Sequence, residues 1–179
     1  MHFTANGEPV IPYSREINLR SQIEQEVIPQ IPSDQWLDCD EHLPLAHSTR
    51  VGSIVQALLP HTTGSRKTDA VYVLECRNNS NQLSDSIRYL GRSTSYWKPD
   101  KVKSSRRLIY VGVAQNPLKR LNQHLNDPGN EGANFTGIFP PMRVLNVSWY
   151  GSYRTAERAE ILTAELIQEE FPEDYVVQL

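Results

Sequence analysis

Three short runs beyond residue 69 are almost continuously apolar: AVYVLEC at 70–76, LIYVGVA at 108–114 and MRVLNVSWY at 142–150. Runs of this length, rich in β-branched and aromatic residues, predict strands. Between the second and third the period changes. Leu118, Leu121 and Leu125 recur at helical spacing behind Asn116-Pro117, where Asn suits an N-cap and Pro the first helical position. Asp127-Pro128-Gly129 closes that helix, and 129–141 reads as loop. A longer helix is expected over 152–170. At about 100° per residue, Ala156, Ala159, Leu162, Thr163, Ala164, Leu166 and Ile167 share one arc. Arg158, Glu165 and Glu169 fall opposite, with Glu157 and Gln168 at a border. FPEDYVVQL adds a short closing strand. The order β-β-α-β-α predicts an α/β (α+β) sandwich, a small sheet of about three strands flanked by helices.

The first 66 residues have another texture and hold six of the twelve prolines. A helix is expected from an N-cap at Ser14 to Val27, with Ile17, Ile23 and Val27 on one side. A second begins near Ser48 or Thr49 and carries Val51, Ile54, Val55, Leu58 and Leu59 as its apolar face. Pro29 and Pro60 stop them, and TTGSRKTD at 62–69 reads as a linker. The chain thus divides into an N-terminal helical extension, 1–68, for recognition or dimerisation, and a domain at 69–179 with an insertion at 77–107.

Composition excludes several classes. A hydrophobic fraction of 39% with both signs of charge is globular rather than disordered. No apolar run approaches the roughly 18 residues of a membrane span. MHFTANGEPVIPYSRE lacks the basic start and apolar block of a signal peptide. Cys39 and Cys76 are isolated, without paired zinc-ligand spacing. The expectation is a cytoplasmic protein with two reduced thiols and no membrane partner.

The net charge of −3 hides an uneven distribution. Half of the 18 Lys and Arg residues lie in 88–120: Arg88, Arg92, Lys98, Lys101, Lys103, Arg106, Arg107, Lys119 and Arg120. Asp100 is the one acid there, and Tyr89, Tyr96 and Trp97 are interleaved. Basic charge mixed with aromatics suits a nucleic-acid backbone and exposed bases. A solvated loop reads equally well.

Two helices carry candidate chemistry. Glu160 falls inside the apolar arc of the long helix, where a carboxylate is costly unless paired or metal-bound. It is a metal ligand or general base, or else half of a structural ion pair. Arg120 and His124 are four apart, on one helical face bordering Leu121 and Leu125. Arginine can clamp a phosphate, and histidine can move a proton or hold a water. Tyr72 and Tyr110 lie on the two preceding strands. No Ser or Cys nucleophile is indicated. One carboxylate rather than a pair argues against glycosidase and two-metal chemistry.

At these residues the sequence resembles the GIY-YIG nuclease superfamily. Ala70-Val71-Tyr72 stands for Gly-Ile-Tyr, and Tyr110-Val111-Gly112 for Tyr-Ile-Gly. Arg120-Leu121 matches the family's arginine, His124 the His or Tyr four residues on, and Ala156 to Glu160 the Ala-x-x-x-Glu of the long helix. The departures are Ala70 for Gly, a long basic connection between the two motifs, and the absence of the Asn usual near the C-terminus, where Gln178 stands. Tyr89-Leu90-Gly91 repeats the second motif, but no arginine-bearing helix follows it.

The resemblance implies metal-dependent hydrolysis of DNA. Glu160 would hold Mg²⁺ or Mn²⁺, and Arg120 would stabilise the transition state. Tyr72 with His124 would orient and deprotonate water, and Tyr110 would hydrogen-bond to water or phosphate. A phenol is a poor base unaided, so His124 or a cation must assist. DNA is the expected partner, with a homodimer allowed. The other readings are a DNA-binding module without cleavage and a protein-interaction domain.

Overall fold

The computed structural model describes residues 13–32, 61–78, 99–126 and 134–178. The helix expected near 48–59, Cys39 and the basic residues Arg88, Arg92 and Lys98 lie outside them. The elements in chain order are α1 (Tyr13–Glu26) with a 3-10 turn at Ile28–Gln30, β1 (Thr62–Thr63), β2 (Asp69–Cys76), α2 (Pro99–Ser104), β3 (Leu108–Ala114), α3 (Pro117–Asn126), α4 (Asn134–Ile138), β4 (Pro141–Tyr150), α5 (Tyr153–Glu170) and β5 (Tyr175–Gln178).

The class is mixed α/β, but the sheet has five strands where three were expected, in the order β1-β4-β2-β3-β5. The three apolar runs form its antiparallel centre, with Tyr72 opposite Gly112 and Val147, and Leu74 opposite Tyr110. β5 was anticipated as a strand and pairs parallel to β3, Tyr110 against Val177. β1 was read as linker and pairs parallel to β4 at the other edge. The side chain of Asn146 holds it by donating to the His61 carbonyl and the Thr63 hydroxyl. Gly64, with φ at +76°, turns the chain directly after it.

Both faces of the centre are covered, which is why its strands read as unbroken apolar runs. Successive side chains alternate between faces. Ala70, Tyr72, Leu74 and Cys76 join Leu108 and Tyr110 under α2, α3 and α4, through Val102, Leu121, Leu125, Phe135, Ile138 and Phe139. Val71, Val73, Ile109 and Val111 face α5 and α1. Cys76 is a free, buried thiol whose pKa burial pushes up.

Two local expectations fail. Ile17 is 50% exposed, because α1 turns Leu19, Ile23 and Val27 toward α5 instead. Its outer side is tied down by ion pairs from Arg20 to Glu169 at 2.9 Å and from Arg158 to Glu16. The stretch read as loop at 129–141 contains α4, whose Phe135 and Ile138 are buried together with Phe139 just beyond it. Helices α3 and α5 start as expected, whereas α1 begins at Tyr13, one residue before its expected N-cap Ser14. The Asn116 side chain accepts from the Lys119 amide at 3.0 Å, and Ser152 caps α5 through the Thr155 amide at 3.2 Å. Leu118 is only partly buried beside Leu121 and Leu125. Among the described residues no helix is long and apolar enough to cross a membrane.

Candidate active site

Tyr72 on β2 and Tyr110 on β3 point to the α3 face. Tyr72 and Tyr110 are 2% and 3% exposed, with ring centroids 6.2 Å apart. Gly112 makes their approach possible. A Cβ built there would stand 2.4 Å from the Tyr72 hydroxyl oxygen, 2.5 Å from its ring carbon and 2.9 Å from the Tyr110 ring. The glycine of the Tyr-Val-Gly run is therefore the floor on which the Tyr72 phenol lies.

α3 delivers the histidine. His124 is 1% exposed, and its Nε2 is 2.9 Å from the Tyr72 hydroxyl. The Tyr110 ring meets its imidazole edge-on at 5.4 Å between centroids. The far nitrogen, Nδ1, is 2.7 Å from the hydroxyl of Thr136 on α4. One turn earlier on α3, Arg120 is half-buried and donates to the Gln123 side chain at 3.1 Å. Its charge reaches Tyr72, Tyr110 and His124 alike.

Burial dominates the protonation states. It lowers the His124 pKa to about 3, with Arg120 adding to the fall, so the ring is neutral across the physiological range. Tyr72 is raised well above the usual phenol value by burial and then by Tyr110, against the lowering effect of Arg120. Tyr110 is raised by burial first, with Arg120 again opposing. Neither tyrosine is a resting phenolate. The cluster is a neutral hydrogen-bonded chain beside one guanidinium.

Glu160 completes the neighbourhood from the other layer. It is 5% exposed on α5, as its place in the apolar arc anticipated. Its charge also contributes to the upward shift of Tyr110. Among the described residues its Oε1 has no hydrogen-bond partner, so no structural ion pair accounts for its burial. Burial and then Glu157 raise its pKa to about 7. A hard, unpartnered carboxylate oxygen suits Mg²⁺ or Mn²⁺, and such ions are commonly held by one or two carboxylates with water and phosphate filling the rest. Glu157, the neighbouring acid, is exposed. The described residues contain no group of three or more His, Cys, Asp or Glu arranged to hold a metal.

The basic residues divide. Lys101, Lys103 and Lys119 are exposed. Arg106 is partly taken up by Asp174, 3.2 Å away. Arg107, grouped with the surface cations from the sequence, is 5% exposed. It donates to one oxygen of Asp174 from Nε at 2.8 Å and Nη2 at 2.6 Å, and from Nη1 to the Pro32 carbonyl at 2.7 Å. It ties the residue before β5 and the segment after α1 to the body, and its burial withholds it from a phosphate.

Two polar residues had no place in the sequence reading. Thr136 sits in a stretch taken for loop, and no spacing rule links it to His124. Asp69 heads β2 fully buried, with neither carboxylate oxygen hydrogen-bonded among the described residues. Its charge, after those of Glu157 and Glu160, contributes to the raised pKa of Tyr153 at the start of α5, where the leading cause is the hydrogen bond to Glu157.

Comparison with known proteins gives one family. Residues 102–173 match the model of the GIY-YIG catalytic domain. The match runs from α2 to the turn before β5 and contains Tyr110, Arg120, His124 and Glu160. β2 lies outside it, so Tyr72 joins the site through geometry: its hydroxyl on His124 and its ring on Gly112. No curated protein and no solved structure gave a significant match.

Proposed function

From the match of residues 102–173 to the GIY-YIG catalytic domain, we propose that the chain is a GIY-YIG nuclease, a divalent-metal-dependent endonuclease that hydrolyses phosphodiester bonds in DNA. The observation that carries the reading is the buried Tyr72–His124 hydrogen bond, set beside Arg120 and beside Tyr110, on which the charge of Glu160 acts.

Glu160 would hold the cation, which supplies charge neutralisation at the scissile phosphate. Arg120 would stabilise the negative charge that grows on the non-bridging oxygens, an interaction strongest in the transition state. Tyr72 is a phenol at rest, so it works by relay. Its oxygen accepts a proton from the attacking water while its own proton passes along the 2.9 Å bond to His124 Nε2. His124 is neutral at rest and would take it against the burial and the Arg120 charge that disfavour its charged form. Tyr110, beside both and under the influence of Arg120, would orient water or phosphate. Lys101, Lys103 and Lys119 offer exposed positive charge for the DNA backbone, with Arg88, Arg92 and Lys98 of the insertion as further candidates.

The test is supercoiled plasmid incubated with the protein and Mg²⁺ or Mn²⁺, beside Glu160→Ala and an EDTA control. Nicked or linear product that disappears in both controls is the expected result. DNA that is retained in a salt-sensitive way but never cut would make the chain a binding module. Binding that ignores salt would make it a protein-interaction domain.

A further inference from the structure

His124 touches a hydroxyl on each side, and the side away from Tyr72 is as tightly built as the side toward it. Thr136 is fully buried, with its Oγ1 2.7 Å from Nδ1. It belongs to α4, which Phe135, Ile138 and Phe139 root in the core. The Phe139 amide donates to the Phe135 carbonyl at 2.8 Å across this single turn. The hydroxyl is thus held by packing rather than by the chance rotamer of a surface side chain.

We propose that Thr136 is a positioning residue that accepts the Nδ1 proton of His124, fixing the imidazole in the tautomer whose bare Nε2 faces Tyr72. The inference rests on the reading of Tyr72 and His124 as the water-activating pair.

A neutral imidazole carries one N–H and one lone pair, so only two arrangements exist. In the first, Nε2–H donates to the Tyr72 oxygen. Arg120 acts on the same phenol, lowering its pKa, and arginine can only donate. A guanidinium donor and Nε2–H together would fill the lone pairs of that oxygen. The phenolic proton must turn to Tyr110, and nothing remains to accept a proton from water. In the second, Nδ1–H donates to Thr136 and Nε2 accepts from Tyr72. The phenol oxygen keeps a lone pair for water even with a guanidinium donor on the other. Only the second arrangement supports the relay.

The proton balance closes. Water gives one proton to the Tyr72 oxygen and its oxygen attacks phosphorus. The phenolic proton moves to Nε2, and the leaving 3′ or 5′ oxygen departs and is protonated by solvent. His124 becomes an imidazolium whose Nδ1–H already donates to Thr136, a bond that strengthens as the ring gains charge. The added proton then returns to solvent.

The test is nitrogen NMR of histidine-labelled protein, with the His124 ring assigned by its loss in His124→Gln. Wild type is expected to show Nδ1–H and a bare Nε2. Thr136→Val, similar in volume but without the acceptor, should shift the ring toward Nε2–H and slow single-turnover DNA cleavage by about tenfold or more. Thr136→Ser should restore both. A wild-type ring carrying its proton on Nε2 would overturn the proposal, whether or not any variant folds. So would a Thr136→Val spectrum identical to wild type. Because the tautomer is read without DNA, a protein that never cuts DNA would sink the nuclease reading separately.

Discussion

Gly112→Ala is the smallest change that should disable the site, and its cost can be worked from the geometry. The new methyl would stand 2.4 Å from the Tyr72 hydroxyl oxygen. Ordinary contact begins near 3.4 Å, so the phenol must move by about 1 Å. It is confined by the Tyr110 ring, which the same methyl would crowd at 2.9 Å, and by the hydrogen bond to His124. Overpacking of a tight core costs about 1–3 kcal/mol. Gly112 lies in a regular strand, so alanine also restricts the unfolded chain and returns about 0.4–1 kcal/mol. The net is a loss of about 0–2.5 kcal/mol, which for a chain of this size lowers Tm by at most roughly 10 °C. Activity should suffer far more, since a misplacement of about 1 Å in a catalytic group costs about 100-fold. Thermal unfolding and single-turnover cleavage of labelled DNA, run on the same sample, measure the two effects. A folded Gly112→Ala protein that cuts within threefold of wild type would refute the claim that Gly112 is the floor for Tyr72.

The remaining predictions test other parts of the site. Arg120→Ala should lower the cleavage rate by about 100- to 1,000-fold while filter retention of DNA changes little. Arg107→Ala leaves buried Asp174 with Arg106 as its remaining ion-pair partner and should cost at most about 3–5 kcal/mol in denaturant unfolding. It should not alter the salt slope of DNA binding, whereas Lys119→Ala should reduce that slope by about one phosphate contact. The pH dependence of metal-free stability follows from Glu160. Its folded pKa, about 7, lies above the unfolded value of 4.5. The folded state therefore binds the extra proton between those values, and stability falls as pH rises through that window. The fall is on the order of 3 kcal/mol, should level off above pH 8 and should vanish in Glu160→Gln. His124, lowered to about 3, predicts no acid loss of activity from its own titration between pH 5 and 8.

What the sequence revealed follows from the range of the forces involved. Strands β2, β3 and β4 and helices α3 and α5 were legible because hydrophobic period is local. Glu160 was legible because a carboxylate inside an apolar arc breaks such a period. Two-residue β1 was not: Thr62 and Thr63 are polar, and their pairing depends on Asn146, more than 80 residues away. α4 was hidden for the same reason, since NFTGI has no helical period and exists because Phe135 and Phe139 find the core. Arg107 was misplaced by counting local charge, because its partner Asp174 lies 67 residues on. Thr136 carried no signal, because a buried threonine becomes functional only by what it touches.

The central claim is that Tyr72 and His124 activate water as a pair, and Tyr72→Phe tests it most directly. This change removes one buried hydroxyl and leaves the ring on Gly112. In single-turnover cleavage under saturating Mg²⁺ or Mn²⁺, the account predicts a fall of at least about 100-fold, with DNA retention unchanged. A Tyr72→Phe protein that cuts as fast as wild type would remove the tyrosine from the chemistry and contradict the mechanism.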